Sequence, residues 1–290
     1  MRRFTILIPV YNDWQSLAKL LIEININIKE INECEFNCII VNDASTIPAP
    51  EIKVPSNLES IELINMKKNK GHARCNAFGI RYLSKKNNYD HVILMDGDGE
   101  DRPSEIKFLV EKALIEKNKS VVARRIKRSE GPFFQSLYQL HKIITYLFTG
   151  KKINFGNYSC LTFEDVKKLS TKISLWSSFS GSVKNHIDQL SYIDSIRGLR
   201  YFGPSQMSLY KLGIHSFSII AVFKKIVFIR SVLLIIISSY FYNSLGFTLV
   251  LFQFLLVTFN LLIYLVSLRE NEKDFLDSDF NKESSKIYTH

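Results

Sequence analysis

The stretch LMDGDGEDRPSEI, residues 94–106, sets Asp96, Asp98, Glu100 and Asp101 within six positions directly after an apolar run. Like charges this close repel one another, so a fold that collects them must bring something positive to meet them. The run before them, HVILM (91–95), is short, β-branched and apolar, and it reads as a buried strand. The acidic cluster therefore sits where a strand ends.

Working outward, the same pattern repeats. FTILIPV (4–10), FNCIIV (36–41), SIELINM (60–66) and SVVA (120–123) are further predicted strands, bounded by turn residues. Between the first two, Trp14, Leu17, Leu21, Ile24, Ile28 and Ile31 recur at helical spacing, with Asp13 placed as an N-cap. A second helix is expected after Gly71 and a third from Pro103, since proline suits a first turn. Strand and helix in alternation predict βαβ units, an α/β class and a mainly parallel sheet. Ligands of such sheets lie beyond the carboxyl ends of the strands. IPVYND (8–13), VNDAS (41–45) and MDGDGED (95–101) each begin where a predicted strand ends, so three acidic strand ends are expected to line one crevice.

A chain of 290 residues with 46% hydrophobic side chains is not a disordered one. Its formal charge of +10 suits an anionic partner: nucleic acid, a nucleotide, or an acidic membrane face. The basic residues gather around the later half without an aromatic-basic recognition motif, so no nucleic-acid partner is expected. Cys34, Cys38, Cys75 and Cys160 lack the spacing of a zinc site and read as reduced thiols. The opening MRRFTILIPVYND has no cleavage pattern and meets Pro9 early, so it reads as a strand rather than a signal peptide.

The last third differs in kind. Residues 226–268 carry one charge, Arg230, and 247–268 alone would extend about 33 Å as a helix, enough for a hydrocarbon core. Two apolar arms (226–242 and 247–268) joined by NSLG predict a transmembrane hairpin, with Arg230 snorkelling to the headgroups. Lys211, Lys224, Lys225 and Arg269 flank it and the turn has no positive charge, so both termini and the catalytic domain are expected on the cytoplasmic side of a cell membrane. The expected organisation is a catalytic domain over 1–205, a juxtamembrane amphipathic segment over 206–225, two membrane helices within 226–268 and a polar, solvated tail over 269–290. The helix expected over 133–150 fits core packing and a membrane surface equally. No G-x-x-x-G marks a helix interface, and homo-oligomerisation is left open.

Asp96 and Asp98 reach one ion only if the chain turns between them, which Gly97 and Gly99 make easy. A hard cation, Mg2+ or Mn2+, would offset their repulsion and accept diphosphate oxygens, with Glu100 as a third ligand. A calcium loop starting at Asp96 fails, because Asp101 takes the glycine position and Lys107 the glutamate position. No phosphate loop and no G-x-G-x-x-G fingerprint is present.

IPVYND, VNDAS, KNKGHARCNA (68–77) and MDGDGEDRPSEI, in this order, resemble the catalytic domain of family 2 glycosyltransferases of the GT-A fold. With RRIKRSEG (124–131), FGNYS (155–159), RGLRYFGPSQMSLYKL (197–212) and the apolar hairpin, the chain is similar to polyprenyl-phosphate glycosyltransferases, the dolichol-phosphate mannose synthase and undecaprenyl-phosphate glucosyltransferase group. The resemblance implies a nucleotide-sugar donor held by Pro9, Tyr11, Asp13 and Asp43, with Asp43 accepting from the base. It implies Gly71 and Arg74 near the nucleotide, and the metal on Asp96, Asp98 and Glu100. It also implies a membrane lipid phosphate as acceptor, for which Arg125 and Arg128 are the candidate phosphate contacts, while RRIKR fits a solvated basic turn equally well. Arg200, Ser205 and Lys211 would complete the acceptor entrance.

Two departures bear on the acceptor and the metal. The group's usual leucine and glutamine are Gly99 and Glu100 here, and its acceptor-loop G-D-F-R is replaced by GNYS. There is no Q-x-x-R-W, so a single transfer is expected rather than polymerisation. A lipid hydroxyl acceptor would need a carboxylate base, for which Asp101 or Asp188 is the nominee. A membrane-tethered scaffold with a degenerate transferase domain is the reading from another class.

Overall fold

The structure is a computed structural model that describes residues 1–127, 132–203 and 208–290. Along the described chain run β1 (Arg2–Val10), α1 (Trp14–Ile28), β2 (Cys34–Asn42), β3 (Ser60–Met66), α2 (His72–Ser84), β4 (His91–Leu94), α3 (Ile106–Ile115), β5 (Ser120–Lys127), α4 (Pro132–Thr149) and β6 (Phe155–Thr162). Then follow α5 (Phe163–Ser170), α6 (Phe179–His186), β7 (Leu190–Ile196), α7 (Leu209–Ala221), α8 (Lys224–Ser239), α9 (Tyr242–Leu245), α10 (Phe247–Ser267), α11 (Glu272–Leu276) and β8 (Lys282–Tyr288).

All eight strands form one sheet in the order β7-β5-β6-β4-β1-β2-β3-β8. β1 is buried throughout Phe4–Val10, and apolar there except for Thr5, because helices cover both of its faces. Phe4, Ile6 and Ile8 pack in one core with Leu20 and Ile24 of α1, while Leu7 packs in the other with Phe78 and Ile80 of α2. The five predicted strands all form. The sheet, however, is mixed rather than mainly parallel. β6 runs antiparallel to both β4 and β5, and β8 runs antiparallel to β3.

Three other expectations fail, wholly or in part, for long-range reasons. Asp13 stands at the N-cap position of α1 but makes no side-chain cap bond, because its carboxylate is paired with Arg200. The tail after Arg269 is largely exposed, as expected, but it is docked rather than loose: Phe275, 1% exposed, packs against Trp176 and Arg81, and β8 completes the sheet edge. Nor does Arg230 reach for headgroups. It donates to the carbonyls of Leu147 (2.7 Å) and Tyr146 (3.5 Å), answering the negative end of α4.

The apolar C-terminal segment forms two antiparallel arms. Lys224 at the start of α8 pairs with Glu270 just beyond α10 (2.9 Å), and the Gln253 amide reaches Ser239 (2.9 Å) near the turn. Among the described residues α10, with 21 residues and a length of about 31 Å, is the one helix long and apolar enough to cross a membrane. α8 has 16 residues, about 24 Å, which falls short of a typical hydrocarbon core. Both arms present large side chains outward, including Phe228, Leu233, Ile236, Phe254, Leu255 and Leu261. α4 does the same with Leu140, Ile143 and Leu147, which fits the membrane-surface alternative for that helix.

Candidate active site

Parallel pairing of β1 with β2 and β4 brings three strand ends to one edge: Val10 is opposite Asn42, and Leu7 opposite Leu94. The first two loops are braced against each other. The Asn12 amide donates to Ser45 Oγ (2.8 Å), its side-chain oxygen accepts from the Ile47 amide (3.0 Å), and Asp43 N–H donates to the Val10 carbonyl (2.9 Å). Asn12 and Ala44 both take positive φ (53° and 56°), which costs a non-glycine residue and persists only where the surroundings impose it. Pro9 is buried in β1, and Tyr11 beside these turns is 47% exposed.

Asp43 is 4% exposed, and its two oxygens accept from the backbone amides of Lys70 (2.9 Å) and Gly71 (2.8 Å). Burial raises its carboxyl above the ordinary value, and the two amides offset only part of that. Asp43 therefore fixes the loop into α2, and each oxygen keeps a lone pair for a ligand. Arg74, one turn into that helix, reaches instead toward the C-terminal segment, donating to the Arg269 carbonyl (3.3 Å). Burial and the neighbouring Arg269 lower its pKa to about 10.

The acidic turn is built from its own carboxylates. Asp101, 5% exposed, accepts the Asp96 amide (2.9 Å), and Asp98 accepts the Glu100 amide (3.1 Å). Gly99 has φ 87°, and a Cβ there would lie 2.4 Å from the Tyr201 ring, so no other residue fits. Asp96 Oδ1 accepts from the Asn157 side chain (3.0 Å) and lies 3.2 Å from His72 Nε2.

The positive groups that this turn demands are Arg197 and Arg200, from the segment after β7. Arg200 bridges Asp98 (2.9 Å) and Asp13, and Arg197 pairs with Glu100. Backbone bonds fasten the same segment: Gly198 N–H donates to the Glu100 carbonyl (2.8 Å) and Tyr201 N–H to the Asp98 carbonyl (2.9 Å). Arg200 appeared in the sequence only as part of an acceptor entrance, and Arg197, Asn157 and His72 had no assigned role. The sequence signal for the two arginines is R-x-x-R directly after a strand, and His72 and Asn157 lie within the quoted KNKGHARCNA and FGNYS stretches.

The charges are unevenly satisfied. Burial alone would raise Asp96, but His72, Arg197 and the Asn157 amide hold its carboxyl well below the usual range. Asp98 is pushed up by burial and by Asp96 and Glu100, more than Arg200 brings it back. Burial and Asp96 also raise Asp101. The excess of negative charge on Asp96 and Asp98 fits a divalent cation, although Glu100, the third expected ligand, is engaged by Arg197. Among the described residues no three Asp, Glu, His or Cys side chains stand together as a ready metal cluster.

Arg125 lies against Gly156, where a Cβ would be 2.3 Å from its guanidinium, next to Asn157. Arg128 and Ser205 lie outside the described residues. Lys211 sits in the first turn of α7. Asp188 precedes β7, which runs parallel to β5 from the opposite edge of the sheet, and it pairs with Lys168 (3.6 Å); it is no base for this crevice. Asp101, turned inward to hold the Asp96 amide, is equally unsuited to that role.

Residues 5–172 match the family model described as glycosyl transferase family 2. An undecaprenyl-phosphate 4-deoxy-4-formamido-L-arabinose transferase from Photorhabdus laumondii subsp. laumondii is 26% identical over 222 residues, 73% of this chain and 65% of the relative. The enzyme of the same description from Proteus mirabilis is 27% identical over 163 residues, 56% of this chain and 48% of its own. The chain thus spans between about half and two thirds of the length of these curated relatives. Among solved structures, glucosyl-3-phosphoglycerate synthase from Mycobacterium tuberculosis in complex with Mn2+, uridine-diphosphate and phosphoglyceric acid aligns with a TM-score of 0.51 and 14% identity, over 78% of each chain. That likeness is one of fold, the GT-A α/β architecture with a mixed sheet.

Proposed function

The chain belongs to glycosyl transferase family 2, and on that premise we propose that it transfers a single sugar, with inversion, from a nucleotide-sugar donor to a polyprenyl phosphate in the membrane. The observation that carries this reading is the crevice itself. Asp13, Asp43, Asp96 and Asp98 come from three parallel strand ends, beside helices whose outer faces are apolar. The relatives are transferases named for undecaprenyl phosphate, which supports a lipid-phosphate acceptor. A structural neighbour contains Mn2+ and uridine-diphosphate, which supports a divalent metal and a nucleotide donor.

Asp96 and Asp98 would hold Mg2+ or Mn2+, joined by Glu100 once Arg197 releases it. When bound, that cation stabilises the charge growing on the diphosphate as the glycosidic bond breaks. The protein supplies the remainder. Asp43 fixes the 70–71 backbone, and with Pro9, Tyr11 and Asp13 it frames the nucleoside, Gly71 and Arg74 lying next to it. Asp101 and Gly99 set the turn that presents Asp96 and Asp98. A phosphate acceptor is already an anion and needs no strong base, which agrees with the inward orientation of Asp101. It does need cations, and Arg125, beside Asn157 at the Asp96 turn, supplies one, with Arg128 the second candidate.

The apolar arms would hold the catalytic domain on the cytoplasmic face of the cell membrane, where such an acceptor is confined. Both ends of the α8–α10 pair return to the same side, as Lys224 and Glu270 require. The test is transfer of label from a panel of nucleotide sugars into an organic extract of membranes given polyprenyl phosphate and Mg2+ or Mn2+. Label that needs metal and is lost in Asp98→Ala supports the reading. Donor hydrolysis without lipid labelling removes the acceptor assignment and favours a hydroxyl acceptor. A protein that neither binds nor turns over any donor is the scaffold.

A further inference from the structure

The loop 67–71 joins β3 to α2 at the edge of the crevice, and it is pinned at both ends. At the crevice end Asp43 accepts the amides of Lys70 (2.9 Å) and Gly71 (2.8 Å). The other end is held from far along the chain. The Lys67 N–H donates to the Asn281 carbonyl (2.7 Å), the Lys68 N–H donates to the Asn281 side-chain oxygen (3.1 Å), and the Asn281 side-chain amide donates to the Lys68 carbonyl (3.0 Å). One asparagine thus satisfies three backbone groups of a loop about 213 residues away.

Covering a sheet edge does not require this. β8 pairs with β3 only as far as Met66, opposite Lys282, and the register already shifts between Asn65 and Met66. Asn281 acts beyond that last pair, through a side chain that offers both an acceptor and a donor to Lys68. Upstream, the same segment is anchored on α2. Arg81 donates to Ser278 Oγ (3.1 Å) and to the Leu276 carbonyl (3.1 Å), and its guanidinium lies over the Phe275 ring (4.5 Å). Further back, just beyond α10, the Arg269 carbonyl accepts from Arg74 (3.3 Å). Charge favours the docking: residues 270–283 hold six carboxylates against two lysines, while the loop and α2 carry Lys67, Lys68, Lys70, Arg74 and Arg81. The exposed Lys70–Asp274 pair (3.4 Å) contributes little by itself, so the hold on the loop rests on Asn281.

We infer that residues 269–288 form a strap from the end of α10 to the donor side of the crevice, with Asn281 the positioning residue that keeps loop 67–71 in its donor-binding shape. This rests on the nucleotide-sugar reading above. The loop carries three lysines and turns at Gly71 (φ 90°) beside Asp43. Pinned at both ends, it is ordered before an anionic donor arrives, so the entropy of ordering falls on folding rather than on binding. Asn281 acts through the loop and touches no reacting atom.

The experiment uses the full chain in maltoside micelles, with the nucleotide sugar that labels lipid in the transfer assay. Asn281→Ala removes both side-chain bonds to Lys68. The donor KM should rise about five- to tenfold, with kcat and the polyprenyl phosphate KM within about twofold of wild type. Amide hydrogen exchange at 67–71, measured without donor, should quicken by a similar factor. Arg81→Met, which drops the bonds to Ser278 and Leu276, should move both readouts the same way, so that misfolding of one variant leaves the other to decide. His290→Ala is the control: it loosens the far end of the strap, where the ring meets the Leu58 carbonyl (2.9 Å), and should leave the donor KM unchanged.

An unchanged donor KM in Asn281→Ala and Arg81→Met, in an enzyme that still labels lipid, overturns the positioning role and leaves the function standing. A loss of kcat with both KM values shifted, matched by His290→Ala, also overturns it, since general destabilisation behaves that way. A wild type that labels nothing from any donor overturns the function, and the donor role with it, even where exchange at 67–71 responds to Asn281→Ala.

Discussion

Replacing Arg200 with glutamine removes the guanidinium shared by Asp13 and Asp98 while keeping a side chain of similar reach. The Arg200–Asp98 pair spans 2.9 Å, which at an effective dielectric constant near 20 corresponds to a gross attraction of about 6 kcal/mol. Both side chains are about a fifth exposed (20% and 19%), and forming the pair also costs desolvation, so the net loss is about 2–3 kcal/mol. At roughly 2–4 °C per kcal/mol for a chain of this size, the melting temperature should fall by about 4–12 °C near neutral pH.

The pH dependence follows from the carboxylates left behind. The Asp98 carboxyl already stands above its ordinary value because of burial, Asp96 and Glu100, and losing Arg200 raises it further. A raised carboxyl binds more protons folded than unfolded between the unfolded value of about 3.9 and its folded value, so stability falls as pH rises through that window. The difference between variant and wild type should therefore be full near about pH 8 and shrink as the pH falls through the variant's raised range. Mn2+ at about a hundredfold excess over its Kd would restore about 2.7 kcal/mol if it takes the place of the guanidinium. Thermal melting across pH, with and without Mn2+, measures both effects. A loss that is the same at every pH, or equal stabilisation of both proteins by Mn2+, would refute the counter-ion role of Arg200.

Gly99→Ala forces a side chain into a left-handed position against the Tyr201 ring and should destabilise by at least about 1–2 kcal/mol in chemical denaturation; an unchanged midpoint would mean that Tyr201 does not pack there. Phe275→Ala, at 1% exposure, should cost about 3–5 kcal/mol, and hydrogen exchange should show β3 losing protection along the edge that β8 covers. Burial holds the His91 imidazole below its ordinary value, so the folded state binds fewer protons than the unfolded one just below about pH 6.5, and stability drops as pH falls through that window. His91→Phe, which can keep the stack on Phe4 (5.0 Å), should flatten that acid limb; a melting curve that still falls in parallel with wild type would assign the limb to other groups.

Much was readable in the chain because it depends on neighbours in sequence. The apolar runs of β1, β2 and β4 follow from two-sided burial, the acidic residues at their ends from the strand boundaries, and the turn at 96–101 from Gly97 and Gly99. The helical spacing of α1 was equally plain. β6 was hidden because FGNYSCLT mixes poor strand formers with residues whose burial comes only from β4 and β5. β8 was hidden because KESSKIY is polar, as an edge strand is, and gains its pairing from β3.

The sequence by itself determined that carboxylates would crowd one strand edge and that a positive charge must answer them. Which charge answers was decided only by the tertiary structure. Arg200 reaches Asp98 and Asp13 across 102 and 187 residues of chain, and Arg230 finds the end of α4 across 83. A side chain's charge is written locally, but its partner is chosen by whichever surface packing brings within a few ångströms, where the Coulomb interaction is strong enough to matter.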